Sequence, residues 1–255
     1  MERGEKDVAK WLFDHSFGWR ARIGVINAST GVTFDHEWAR MLPFGTSFHV
    51  TRLRLLRGTR EDLFEMISHA AEAASLLATS RVHIVCFACT LGSLFRGIEG
   101  ERSLSAELSE AAGVPAITMA RAAVEALATL QLRRVAVATP YTETMNRWVR
   151  GFLEKSGIQV LTLHGMEVAD SWAITEMTPS AVITLGRKVL QEADGADGLF
   201  LSCGNMRTIE ILEELEHETG KPVVSSNQAM LWYALRTLGL HEPVKGYGSL
   251  LKHHI

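Results

Sequence analysis

The chain has 255 residues, 47% hydrophobic and 22% charged, enough for one large or two small domains, which excludes a mini-protein and a disordered chain. Its 26 basic and 29 acidic residues leave a net charge of −3, spread along the chain without the basic stripe of a nucleic-acid binder. Three cysteines, Cys86, Cys89 and Cys203, are an odd number that argues against a disulfide framework and sets the expectation of a reducing, cytoplasmic compartment.

Residues 1–20 carry no strand pattern and no signal-peptide core, and are expected to form an added helix or arm. No stretch approaches the ~20 apolar residues that span a bilayer, so no membrane association is expected. From residue 21 onward, short apolar runs alternate with segments of helical period, the signature of a parallel α/β fold. Strands are predicted at Arg22–Ile26, Ser47–Leu53, His83–Ala88 and Ala116–Thr118, and again at Arg134–Ala138, Gln159–Leu163, Gly198–Ser202 and Val223–Ser225. The helices predicted between and after them are Asp35–Met41, Arg60–Ala78, Ser103–Ala112, Arg121–Leu130, Thr142–Ser156, Pro179–Ala193, Thr208–Glu218 and Gln228–Leu238.

The halves also resemble each other. RIGVI at 22 pairs with RVAVA at 134, VCFACT ending at 90 with LFLSCG ending at 204, and SEAAGVPAIT at 109 with EHETGKPVVS at 216. The offsets, 112, 114 and 107, are nearly constant, which is the first sign of a duplication. Two pseudo-symmetric, flavodoxin-like lobes follow, with a shared cleft between them. The first is expected over residues 1–120, completed by 228–255, and the second over 121–227. Cys89 and Cys203 then hold equivalent places, each just past the carboxyl end of a buried strand, where open α/β sheets bind ligands.

A cysteine in an α/β core is commonly a small buried hydrophobe, and Cys86, inside HIVCFA, fits that description. Cys89 and Cys203 differ, because CTLGS and CGNMRT place them at strand-to-helix junctions. There the backbone N–H groups and the helix dipole are expected to lower a thiol's pKa from about 8.5 toward neutrality. Cys86-x-x-Cys89 is a poor metal or redox pair: residues three apart in a strand point to opposite faces, and no second ligand pair follows. Thr90, Gly204, Asn205, Tyr141, Ser225, Ser226 and Asn227 all fall at strand ends facing the presumed cleft. Each has an alternative fate as a helix cap or turn residue, but together they supply donors for a carboxylate or enediolate. The ten histidines show no ligand spacing, and neither a G-x-G-x-x-G turn nor a phosphate-binding loop is present.

Two half-repeats, each with a cysteine after its third strand, resemble the aspartate/glutamate racemase superfamily. CTLGS at 89, GVPAITMARAAVEAL at 113, RRVAVATPYTETMN at 133, LFLSCGNMRT at 199, GKPVVSSNQAMLW at 220 and GYGSLL at 246 are similar to its maleate cis-trans isomerase and arylmalonate decarboxylase branch. The resemblance runs from about residue 21 to 251. Maleate isomerases carry both cysteines, as this chain does, whereas the decarboxylases have glycine at the place of Cys89. In the other direction, INASTG lacks the isomerases' V-P-S-S-N loop, with Gly31 in place of their asparagine, and Gly246-Tyr247-Gly248 is decarboxylase-like. Leu91 stands where the decarboxylases use serine.

The resemblance implies Cys89 and Cys203 as catalytic thiols, Thr90, Tyr141 and Gly204 as carboxylate or enediolate donors, and Asn205 and Asn146 as further candidates. It also implies a reaction without metal or organic cofactor on a small carboxylate, and carries the sole expectation of a homo-oligomer. Maleate-type isomerisation ranks first, with Cys89 as nucleophile and Cys203 as proton donor. Amino-acid racemisation and arylmalonate decarboxylation follow, and a non-enzymatic bilobal binding protein ranks last.

Overall fold

The computed structural model describes residues 17–255, so the arm expected over 1–20 lies almost wholly outside the described residues. The first half contributes β1 (Ala21–Ala28), α1 (Val32–Met41), β2 (Thr46–Leu53), α2 (Arg60–Ser68), α3 (Ala70–Ala78), β3 (Ile84–Ala88), α4 (Thr90–Leu94), α5 (Gly97–Ala112), β4 (Ala116–Thr118) and α6 (Met119–Thr129). The second half contributes β5 (Arg134–Thr139), α7 (Glu143–Lys155), β6 (Gln159–Gly165), α8 (Ser171–Thr175), α9 (Pro179–Glu192), β7 (Gly198–Leu201), α10 (Leu212–Thr219), β8 (Val223–Ser225), α11 (Ser226–Thr237) and α12 (Ser249–His253).

The strands form two parallel four-stranded sheets with one shared plan, β2-β1-β3-β4 and β6-β5-β7-β8. In each sheet the central strands are nearly unbroken apolar runs buried on both faces, as a sheet covered by helices requires. The outer strands β2 and β6 are half-buried along most of their length. The two-lobed α/β architecture expected from the sequence is the one observed.

The repeat is visible in the local chemistry. α5 and α10 both end on a left-handed glycine, Gly113 (φ 66°) and Gly220 (φ 64°), and a proline and a three-residue strand follow each. A residue bearing a Cβ resists that conformation, which is why glycine stands at both helix ends. The next helices begin on equivalent caps: Thr118 accepts from the Arg121 N–H, and Ser225 with Gln228 forms a reciprocal capping box. α6 and α11 pack on each other where the halves meet. α6 touches β3, β4 and β8, and α11 touches β3, β8 and α1.

Departures from the predicted elements have local causes. The helix predicted over Arg60–Ala78 breaks at His69 (φ −98°, ψ 1°), where the Ser68 hydroxyl bonds back to the Glu65 carbonyl. The helix predicted from Thr208 starts only at Leu212, because the Thr208 and Ile209 N–H groups are turned onto the Glu37 carboxylate. Three five-residue helices, α4, α8 and α12, are too short to show a hydrophobic period.

Candidate active site

The carboxyl ends of β3 and β7 open onto one cavity lined by both Cys89 and Cys203. About 50 Å³ of it is open to the centre of a water-sized sphere. Thr90, Tyr141, Gly204 and Asn205 line it too, so six of the seven residues that the family resemblance implied come together, all but Asn146.

Cys89 is the N-cap of α4. Its backbone is extended (φ −138°, ψ 109°), its sulfur accepts the Gly92 N–H at 3.4 Å, and its carbonyl accepts the Ser93 hydroxyl at 2.8 Å. On the other wall, the Cys203 sulfur accepts the Asn205 N–H at 3.3 Å. The Tyr141 phenol lies beside Cys203 and Thr90, and its hydroxyl favours the Cys203 thiolate.

The thiols' acidity departs from the sequence expectation. Burial pushes the Cys89 thiol up to about 12, against the Gly92 and Leu91 N–H groups that pull it down, and the neighbouring Cys203 raises it further. Burial likewise raises the Cys203 thiol although Tyr141 and the Asn205 and Met206 N–H groups oppose it. Desolvation of the anion therefore outweighs the helix-terminal setting, and the expected shift toward neutrality does not occur. The resting pair is a pair of thiols. Cys86, fully buried within β3 with its pKa raised by desolvation, takes no part in the cavity.

Asn146 lies behind the wall. It accepts the Thr139 hydroxyl at 2.6 Å and donates to the Tyr141 carbonyl at 3.3 Å, while Thr139 Oγ1 accepts the Tyr141 N–H. It thus braces the Tyr141 turn, and does not line the cavity. Gly165 permits this brace, since a Cβ there would meet the Tyr141 carbonyl oxygen and the Asn146 amide far inside contact distance. Ser225, Ser226 and Asn227 are buried beneath the cavity, and Ser225 caps α11. Asn205 has its amide tied to the Thr30 and Ser171 carbonyls at 3.3 and 3.2 Å, joining loops of the two halves.

Other lining residues were not legible in the sequence. Asn27, at the end of β1, donates to the Gly31 carbonyl and Asp35, and its amide fills the space a side chain at Gly31 would need. Leu55, Leu91, Met145, Val168 and Ile174 give the cavity an apolar wall. Most of them come from connections and helix ends without a readable period. Among the described residues no arginine, lysine, histidine, aspartate or glutamate lines the cavity, and no three His, Cys, Asp or Glu side chains group as a metal site. No helix among the described residues is long and apolar enough to cross a membrane.

Residues 23–251 match the family model described as Arylmalonate decarboxylase, Amdase. The chain belongs to that family. It is 29% identical over 245 residues to a maleate isomerase of Pseudomonas putida, covering 90% of this chain and 96% of that protein. It is also 29% identical over 229 residues to the arylmalonate decarboxylase of Bordetella bronchiseptica, covering 89% and 95%. Among solved structures, a cysteine-to-serine mutant of Nocardia farcinica maleate cis-trans isomerase with a covalently bound succinylcysteine intermediate superposes with a TM-score of 0.87 at 26% identity, covering 92% of this chain and 99% of that one. The Amdase-family resemblance stated from the sequence and the two-lobed fold it implied therefore hold for this chain.

Proposed function

We propose that this Amdase-family protein is a cofactor-independent isomerase of the maleate type, acting on a small unsaturated carboxylate with Cys89 as nucleophile and Cys203 as proton donor. The observation that carries the reading is the convergence of two thiols, one from each half, on a single cavity that no charged side chain lines among the described residues. A nucleophile and an acid suffice for this reaction.

Cys89 first gives up its proton to water, and the resulting thiolate adds to one carbon of the double bond. The displaced electron pair passes into the neighbouring carboxylate as an enediolate, and Thr90, Tyr141 and the backbone around Gly204, which line the cavity, are read as the donors that hold it. Cys203 delivers its proton to the carbanion, leaving a thioether. Rotation about the new single bond follows. The Cys203 thiolate then recovers the proton, the carbon–sulfur bond breaks, and the trans alkene leaves with Cys203 again a thiol and Cys89 a thiolate, which adds to the next substrate or takes its proton back from water. Cys203 suits the acid role because burial holds its proton, while the Tyr141 hydroxyl stabilises the thiolate after that proton is given up. The succinylcysteine intermediate of the Nocardia relative is the same kind of adduct.

The apolar wall of Leu55, Leu91, Met145, Val168 and Ile174 favours a second reading, decarboxylation or proton exchange at a carbon bearing an apolar substituent. Amino-acid racemisation is less well supported, since among the described residues no carboxylate lines the cavity to face an ammonium group. Residues 228–255 are read as completing the first lobe, supported by the packing of α11 on α1 and β3.

Proton NMR in D2O, with maleate, phenylmalonate, aspartate and glutamate offered separately, tests the reading. Fumarate formation from maleate is the expected outcome. Carbon dioxide loss from phenylmalonate without fumarate formation would replace isomerisation by the second reading, and exchange at the amino acids' α-carbon alone would replace it by racemisation.

A further inference from the structure

The most deeply buried carboxyl group near the cavity belongs to neither wall. Glu37 lies on α1 of the first half, fully buried, and reaches across to the loop that follows Cys203 in the second half. Its Oε1 accepts the Thr208 N–H at 2.5 Å and the Ile209 N–H at 3.1 Å. Both oxygens lie 3.2 Å from the Thr208 hydroxyl, and Oε2 accepts the Asn227 amide at 2.6 Å. Donors converge on it from three residues and favour its anion, while burial opposes them and raises its pKa to about 7.

The same Asn227 amide nitrogen donates to the Gly204 carbonyl at 3.0 Å, and the Asn227 carbonyl accepts the Trp38 indole N–H at 3.1 Å. Two adjacent residues of α1 thus fix Asn227, and Asn227 fixes the residue next to the catalytic sulfur. Gly204 leaves little room for change: a Cβ there would lie 3.3 Å from Asn227 Oδ1, a buried oxygen with no hydrogen-bond partner among the described residues. The loop is therefore held at both ends, at Gly204 through Asn227 and at Thr208–Ile209 directly.

We propose that Glu37 is a positioning residue, which anchors the Cys203 loop from the opposite half and keeps that sulfur set against Cys89. The assignment deepens the two-thiol isomerase reading. Glu37 touches no substrate and acts through Asn227 and the loop. When ionised, its charge adds to the burial that already disfavours a thiolate at Cys203. The titratable groups acting on Cys203 are Tyr141 from the β5–α7 turn, Cys89 from the β3–α4 turn and Glu37 itself. The charged neighbours along α1 and the loop are engaged elsewhere: Asp35 with Arg52, and Arg40 and Arg207 with Glu210.

The test is Glu37→Gln in the full chain, which keeps the shape but turns an amide N–H toward groups that themselves donate. Two readings are taken together: site-resolved iodoacetamide labelling of each cysteine, and kcat and KM on maleate. Loosening the loop and removing the charge both make Cys203 react faster, by about fivefold or more, with Cys89 and Cys86 within about twofold. In the same variant kcat should fall by about tenfold, with KM changed less than about threefold. A more reactive sulfur in a slower enzyme is the signature of lost position.

Equal acceleration at all three cysteines would mean general loosening and would overturn the proposal, as would unchanged labelling with unchanged kcat. If Glu37→Gln does not fold, Asn227→Ala cuts the link to Gly204 while leaving the backbone bonds of Thr208 and Ile209. It should show the same pattern with smaller amplitude, and selective labelling of Cys203 that stays at the wild-type rate would overturn the proposal. Should the wild-type protein not turn over maleate, the isomerase reading fails by itself, and labelling still decides the role of Glu37.

Discussion

Cys89 and Cys203 occupy matching places at the ends of β3 and β7, yet the chain around them is built differently. Cys89 opens a helix at once, and that helix supplies the Gly92 N–H to its sulfur and the Ser93 hydroxyl to its carbonyl. Cys203 is followed by an irregular stretch that becomes helical only at Leu212, and its surroundings come from far along the chain: Tyr141, Asn227 and Glu37. One sulfur is set by local structure and the other by the assembly of both halves. In the proposed reaction the nucleophile needs a fixed approach to substrate, which the helix start would give Cys89. The proposed proton donor must release and recover a proton, and the groups that would tune this around Cys203 are tertiary.

The sharpest way to break this division of labour is to remove each thiol. Cys89→Ser and Cys203→Ser should each lower turnover by about a thousandfold or more, but only Cys203→Ser should retain an adduct on Cys89 with maleate, seen as an added mass in the intact protein. An adduct on Cys203 in Cys89→Ser would reverse the roles.

Tyr141→Phe should have the next largest effect, about ten- to a hundredfold on kcat, because the hydroxyl that steadies the Cys203 thiolate is lost. Its labelling signature is opposite to that of Glu37→Gln: Cys203 should react more slowly with iodoacetamide.

The comparison also has a pH dependence. Glu37 keeps its proton up to about 7 in the fold, through burial, against 4.5 for the free side chain. Folding is therefore favoured by this proton in acid, and the contribution disappears as pH rises from about 4.5 through about 7, a change of about 3 kcal/mol at most. The stability of wild type relative to Glu37→Gln, from urea unfolding at pH 5 and pH 8, should fall across that interval. A constant difference would mean that the side chain does not titrate between the two conditions.

Smallest of all is Cys86→Ser, which should leave turnover within about twofold while costing about 1–3 kcal/mol of stability for a hydroxyl placed in an apolar strand. Loss of activity at unchanged stability would bring Cys86 into the mechanism.

All eight strands were legible in the sequence because buried parallel strands are short apolar runs bounded by turn residues, and Ala116–Thr118 and Val223–Ser225 match in both bounds. The two cysteines were legible because the duplication places them alike. Other features needed the third dimension. Glu37 sits in VTFDHEWARM like any acid on an exposed helix face, and only the loop from the other half explains its burial. The thiols' raised pKa values follow from closure of the cavity around them, which helix-terminus reasoning about either segment alone omits. Asn146 stands in a motif beside Tyr141, but its amide is consumed in supporting that turn.

The common strand order of the two sheets has a chemical corollary. If the halves were identical, a flat molecule lying between the sulfurs would meet each of them in the same setting, related by a twofold rotation, and neither sulfur would differ from the other. Any difference in role between the two must therefore originate where the duplication has decayed, in Leu55, Met145, Val168 and Ile174 along the cavity wall and in the unequal support of the two cysteines. The direction of the chemistry in this scaffold is thus a property of its asymmetric loops, to be altered there while both sulfurs stay in place.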